Sequence, residues 1–198
     1  MTMNMNDIER ALRELRLSGV RATLDTRILQ AQAAQQPFLE TFSLILQDKL
    51  DRRRSSLSER RYQKSGLDER ATLHDFDWRL NPKVPRQACF ELHTLKFIAE
   101  GINPMIIGKP GTGKSHIAKA LAYQATLQGY DVRYVEADST FTQFSLANPD
   151  EQGKRLKDLL VLDDMFLARR ITDASAELLQ TVVHRRYKLR RSIVVTSN

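Results

Sequence analysis

Gly108-Lys-Pro-Gly-Thr-Gly-Lys-Ser115 is the stretch on which the reading of this chain turns. It fits G-x-x-x-x-G-K-[ST] at each specified position. An apolar run, Pro104-Met-Ile-Ile, precedes it, and a helical pattern over 115–128, stopped by Gly129, follows it. Glycines let the backbone curl into a nest whose N–H groups all face one anion. The helix behind adds the positive end of its dipole. In such a loop Lys114 is a point charge for the β- and γ-phosphates of a nucleotide, and Ser115 offers its hydroxyl to Mg²⁺. Gly108, Lys109, Pro110, Gly111, Thr112 and Gly113 complete the cradle. His116, next after the serine, is expected beside the phosphates.

Outward from the loop, the pattern alternates. The residues 104–108 read as a short buried strand, 132–137 as a second, 158–163 as a strongly apolar third and 192–197 as a fourth. Helical stretches over 86–100, 115–128 and 173–189 lie among them. Strands alternating with helices predict a three-layer α/β fold around a parallel sheet.

Two strand ends carry candidate chemistry. Leu159-Leu-Val-Leu-Asp163-Asp164 is a buried central strand whose acids emerge at its carboxyl edge, where open α/β sheets bind their ligands. Asp163 is placed to hold the metal, directly or through water, and Asp164 to polarise an attacking water. Taken alone, the same pattern also describes a capped strand end. Ile193-Val-Val-Thr-Ser-Asn198 is a further buried strand. Beside the Asp163 strand, its terminal amide would reach the γ-phosphate or the water, although asparagine also simply ends strands.

The first 66 residues read as a helical region. Ile8, Leu12 and Leu15, then Val20, Leu24 and Ile28, then Phe38, Phe42, Ile45 and Leu46 recur at helical spacing, with breaks at Ser18-Gly19 and Gln36-Pro37. The residues 67–85, with Asp75-Phe-Asp-Trp78, Pro82 and Pro85, form a linker, and 86–198 the nucleotide-binding core. The net charge of +7 is unevenly spread: 49–64 holds seven basic and two acidic groups, and 165–198 seven and two. Such patches suit a polyanion, and Arg52, Arg53, Arg54, Arg60, Arg61 and Lys64 are candidates for duplex DNA phosphates. A solvated helix face is the plain alternative.

Other classes recede. No apolar run reaches membrane-helix length and the N-terminus has no signal-type stretch, so the chain is expected in the cytosol. Cys89 is the single cysteine, which excludes an intrachain disulfide and reads as a small buried hydrophobe. His74, His93, His116 and His184 lack metal-ligand spacing.

The order of helical N-terminal region, Asp75-Phe-Asp-Trp78, GKPGTGKS, LLVLDD and VVTSN resembles the IstB-like transposition helper ATPases, which are AAA+ proteins of insertion sequences related to the DnaC helicase loaders. Met165-Phe-Leu-Ala-Arg-Arg170 and His184-Arg-Arg-Tyr-Lys-Leu-Arg-Arg191 resemble IstB more than DnaC. The likeness spans essentially the whole chain. It implies a P-loop AAA+ core that takes ATP and Mg²⁺ and converts ATP and water to ADP and phosphate. It also implies ATP-dependent self-association on double-stranded DNA, and partnership with the element's transposase in target selection. By the same resemblance Lys114 and Ser115 carry the loop roles, Asp163 the metal role, Asp164 the water-activating role and Asn198 the sensor role. Asp164 stands where glutamate is commoner in AAA+ proteins. Phe76 and Trp78 anchor the core or, alternatively, stack on adenine. The AAA+ pattern continues past a position such as Asn198 with a trans-acting arginine and a helical lid. A chain without these is expected to bind nucleotide and hydrolyse it slowly. A DnaC-like helicase loader and an inert oligomerising nucleotide-binding module are the competing readings.

Overall fold

The computed structural model describes residues 3–79, 81–136, 157–165 and 173–198. The chain divides into two compact units, 1–57 and 58–198. The division falls inside one long helix, nine residues before the 66/67 boundary expected from the sequence.

In the first unit α1 (Met5–Glu14) opens on a capping box. The Asn4 side chain accepts from the Asp7 N–H at 3.0 Å, and the Asp7 carboxylate accepts from the Asn4 N–H at 3.2 Å. The chain turns at Arg16, whose φ is +54°. Then α2 (Ser18–Ala34) begins, so the first break lies at 15–17 rather than at Ser18-Gly19. Gly19 has a packing role instead: a Cβ there would come within 2.7 Å of Lys49 Cδ on α3 (Phe38–Ser65). The break at Gln36-Pro37 stands. Gln35 takes a left-handed cap at φ +50° and Pro37 cannot continue the helix. Arg27 on α2 grips Asp48 on α3 through two hydrogen bonds of 2.8 and 2.7 Å. Few apolar side chains are buried in this unit, chiefly Val20 and Ile45, while Phe38 and Phe42 stack on each other in solvent at 5.9 Å.

The second unit is the α/β body. Helices α4 (Arg86–His93) and α5 (Lys96–Glu100) precede β1 (Met105–Ile107), α6 (Lys114–Leu127), β2 (Val132–Glu136), β3 (Leu159–Asp163), α7 (Asp173–Lys188) and β4 (Ser192–Ser197). The strands form a parallel sheet in the order β1-β4-β3-β2. Side chains alternate across it. Leu159 and Val161 pack with Ala118, Ala122 and Ala125 of α6, whose small side chains let the helix lie close to the sheet. Leu160 and Leu162 pack on the other face with Leu179 and Val182 of α7. Helices thus cover both faces, as the three-layer expectation requires. Alternation also puts Asp163 on the face that carries the phosphate-loop helix.

Three expectations need correction. The stretch 86–100 is two helices, not one. Leu95 turns left-handed at φ +63° and drives its side chain fully into the core, and that buried anchor outweighs helix continuity. Strand β1 is not a buried strand: Met105 and Ile107 are 58% and 68% exposed. It lies at the sheet edge and pairs only with β4 among the described residues. Among its described residues the stretch 67–85 has no helix or strand, yet it is more than a linker. Ala71, Leu73 and Phe76 are buried against Ile117 and Leu121 of α6, and Lys119 ties the segment down through Asp68 at 2.9 Å and Glu69 at 3.1 Å. The Lys119 ammonium holds the Asp68 carboxyl below its usual range. Among the described residues no helix is long and apolar enough to cross a membrane. Ala137 and residues 166–170 of the Met165-Phe-Leu-Ala-Arg-Arg170 signature lie outside the described residues.

Candidate nucleotide site

The loop leaves β1 as the Gly108 N–H donates to the Ser197 carbonyl at 3.2 Å, so its first residue is pinned to the end of β4. Gly111 and Gly113 sit at φ +75° and +87°, where a side chain is strained. Gly113 has a second constraint, because a Cβ there would come within 2.4 Å of the Phe76 ring. The Thr112 hydroxyl closes the turn by donating to the Lys109 carbonyl at 2.8 Å. Helix α6 then starts at Lys114, so the amino end of a 14-residue helix opens on the loop.

Lys114 is only 6% exposed. Its ammonium donates to the Lys109 carbonyl at 3.1 Å and to Asn198 Oδ1 at 2.8 Å. Both acceptors are neutral, so an anionic oxygen brought to this ammonium would make the stronger, charge-assisted bond. Around it lies a cavity of about 370 Å³, lined by Pro110, Gly111, Gly113, Lys114, Ser115, Asp164 and Asn198. A second cavity of about 380 Å³ shares Lys114 and extends over apolar groups including Val84, Pro85, Ala88, Cys89, Leu92 and Ile106. A polar chamber and an apolar chamber meeting at one cation match a molecule with a phosphate chain at one end and a flat apolar base at the other.

The two carboxylates occupy different places. Asp163 is 2% exposed. One of its oxygens accepts from the Tyr134 hydroxyl at 2.6 Å and the other from the Thr196 hydroxyl. Asp164 turns left-handed at φ +53° and faces the polar cavity, with its N–H donating to Thr196 Oγ1 at 2.8 Å. The donor set fits Mg²⁺. Ser115 and Asp164 bring hard oxygen donors to one cavity, with Asp163 at the end of the adjoining strand. Among the described residues no group of three or more Asp, Glu, His or Cys could hold a metal alone. Mg²⁺ characteristically uses one or two carboxylates plus phosphate oxygens and water.

Other sequence candidates fall elsewhere. His116 does not reach the cavity. One helical step past Ser115, its Nε2 lies 2.9 Å from the Thr72 carbonyl and its ring 5.5 Å from Phe76. Phe76 and Trp78 contact each other at 4.6 Å, and Trp78 stacks on Phe90 at 5.6 Å, so the pair anchors the core. Lys109 contributes its carbonyl to the loop while its side chain is exposed. On α3, Arg52, Arg53, Arg54, Arg60 and Lys64 are exposed, with Arg54 3.6 Å from Asp51. Arg61 is half-buried and 3.7 Å from Asp131. The second basic patch is partly internal. Arg186 is buried and donates to the Ser192 and Asp158 carbonyls, and burial with Arg191 nearby pushes its guanidinium down to about 10. Arg191 pairs with Asp158. Tyr134 and Thr196 were not foreseen. The one available signal was a hydroxyl-bearing residue within each of two strands, Tyr134 between Val132 and Val135 and Thr196 after Val195.

The family model for IstB-like ATP binding proteins matches residues 10–198. The chain belongs to that family. This IstB-like chain is 30% identical over 197 residues to an insertion-sequence ATP-binding protein of Mycobacterium tuberculosis, covering 96% of this chain and 78% of that one. It is 28% identical to the insertion sequence IS21 ATP-binding protein of Pseudomonas aeruginosa, covering 98% and 75%. Among solved structures, AMPPCP-bound DnaA from Aquifex aeolicus superposes with a TM-score of 0.52 at 26% identity, covering 68% of the IstB-like chain and 44% of DnaA. The IstB-like chain thus spans less than half of the DnaA chain it matches. The shared part is a P-loop AAA+ fold.

Proposed function

We propose that this IstB-like protein binds ATP with Mg²⁺ in the paired cavities and serves transposition as a DNA-associated ATPase. The observation that carries the reading is the convergence of Lys114, Ser115, Asp164 and Asn198 on one cavity from three separate strand ends. The names of the insertion-sequence relatives support the biological setting.

In this reading the loop N–H groups and the α6 amino end hold the phosphates, and Lys114 gives up its contact with Asn198 to bind the β- and γ-phosphates. The apolar chamber beside Ala88 and Leu92 receives the base. Ser115 and Asp163 would hold Mg²⁺, the latter directly or through water. The ion, when bound, neutralises charge that develops on the phosphates. Asp164 accepts the proton of the attacking water. Asn198, released from Lys114, donates its amide to the γ-phosphate or to that water. The protein works in the cytosol, self-associates on duplex DNA when ATP is bound, and acts with the element's transposase in target selection.

The exposed arginines of α3 supply the DNA contact. Duplex binding should weaken as salt rises, and replacing Arg52, Arg53 and Arg54 together with alanine should flatten the log–log salt slope by about 2 to 3, at roughly 0.9 per lost phosphate contact. Fluorescence anisotropy at several salt concentrations, with and without Mg·ATP, measures this. An unchanged slope removes these arginines from the interface. Absence of duplex binding, together with capture of a replicative helicase, would favour a loader.

A further inference from the structure

Thr196 stands at an unusual junction. It is fully buried near the end of β4, two residues before Asn198, directly after the apolar run Ile193-Val-Val195. Its hydroxyl has one proton and uses it on Asp163. The same oxygen accepts the Asp164 N–H at 2.8 Å, and the Thr196 carbonyl accepts the Met165 N–H at 3.0 Å. These bonds brace the turn in which Asp164 is left-handed, a conformation that aspartate adopts more readily than most residues with a Cβ. The turn itself interrupts the strand alternation that would otherwise send the Asp164 side chain to the α7 face. Asp164 instead lines the cavity with Ser115, Gly111 and Asn198.

We propose that Thr196 is the positioning residue of this site: a single hydroxyl sets the orientation of Asp163, locks the turn that aims Asp164 at the cavity, and ties both to the strand that ends in Asn198. The proposal deepens the nucleotide reading above and rests on it. A hydroxyl is required because the position needs a donor and an acceptor at one atom. Valine matches threonine in shape and supplies neither. It would leave a carboxylate oxygen and a backbone N–H in the interior without this partner. Tyr134 is not equivalent, since its hydroxyl donates to the other Asp163 oxygen and not to the Asp164 turn.

The test uses the full chain and measures nucleotide affinity with Mg²⁺ and with the metal chelated, for wild type, Thr196→Val and Thr196→Ser. Supporting partners of metal ligands typically contribute 10- to 100-fold in metal affinity. The ratio of the two affinities is therefore expected to fall about ten-fold or more in Thr196→Val. Metal-free affinity, which belongs to the loop, should stay within about two-fold of wild type. Thr196→Ser should restore the ratio, because it keeps the hydroxyl. In an Asp164→Asn background, any hydrolysis lost through the Asp164 turn should not be lost a second time. Should Thr196→Val not fold, Thr196→Ala adds no bulk and carries the same comparison. A wild-type ratio in the valine or alanine variant overturns the proposal. So does a serine variant as impaired as valine, which would make the role one of packing. If wild type takes up no nucleotide at all, the reading beneath it fails instead. If wild type binds with a clear Mg²⁺ advantage that the variants share, only the assignment of Thr196 fails.

Discussion

Lys114→Ala is expected to cost Mg·nucleotide affinity on the order of 100-fold while the protein remains folded. The ammonium is buried, and its present partners are two neutral oxygens, on Lys109 and Asn198. Phosphate would replace neutral acceptors with anionic ones, and charge-assisted bonds in a desolvated site are about twice as strong as neutral ones. Truncating one member of a buried hydrogen-bonded charge pair costs about 2–5 kcal/mol, so a loss of roughly 3 kcal/mol corresponds to about two orders of magnitude in Kd. The variant exposes no large apolar surface, since the apolar groups that bind α6 to the sheet are Ala118, Ala122 and Ala125. Calorimetric titration reads the affinity and circular dichroism the fold. Retained affinity would remove Lys114 from the site.

The second large effect concerns stability. Gly113→Ala should destabilise the protein by about 2–4 kcal/mol, combining overpacking with a left-handed backbone that disfavours a side chain. The added methyl would lie 2.4 Å from Phe76 Cε2 and 2.8 Å from Cζ, at φ +87°. Phe76 cannot simply swing aside, because Trp78, His116 and the apolar face of α6 surround it. Chemical denaturation measures the loss. If the clash is the cause, combining Gly113→Ala with Phe76→Leu should destabilise less than the two single changes added together. Full additivity would leave backbone strain as the whole effect. By contrast, a Cβ at Gly111 meets nothing within 4 Å, so strain alone operates there.

Much of the fold could be read along the chain because its signals are local. The loop has a fixed residue pattern, β3 is five apolar-to-acidic residues in a row, and α6 ends at a glycine with φ +98°. The failures involve tertiary competition. Leu95 breaks a helix because the core claims its side chain. Strand β1 is exposed because it lies at an edge, which depends on strand order rather than on Met105-Ile-Ile107. The segment after position 67 looks like a connector, yet it supplies Phe76, which packs against the loop at Gly113. Of the residue types singled out in the sequence, Lys114, Ser115, Asp164 and Asn198 line one cavity, and Asp163 is buried at the end of β3. What the spacing does not contain is the register that sets Thr196 beside both acids, or the rotation that carries His116 away from the cavity to the Thr72 carbonyl. The basic patches show the same limit. Arg61, Arg186 and Arg191 count equally with Arg53 in a charge tally, but the fold uses the first three in internal contacts.

The most direct measurement is an isothermal titration of folded wild-type protein with Mg·AMPPCP, followed by the same titration in which inorganic phosphate or adenosine is the ligand. A saturable heat for the nucleotide, with both fragments binding far more weakly, is the result expected of a phosphate chamber and a base chamber joined at Lys114. No heat of binding for the nucleotide, with the protein shown to be folded, would contradict it.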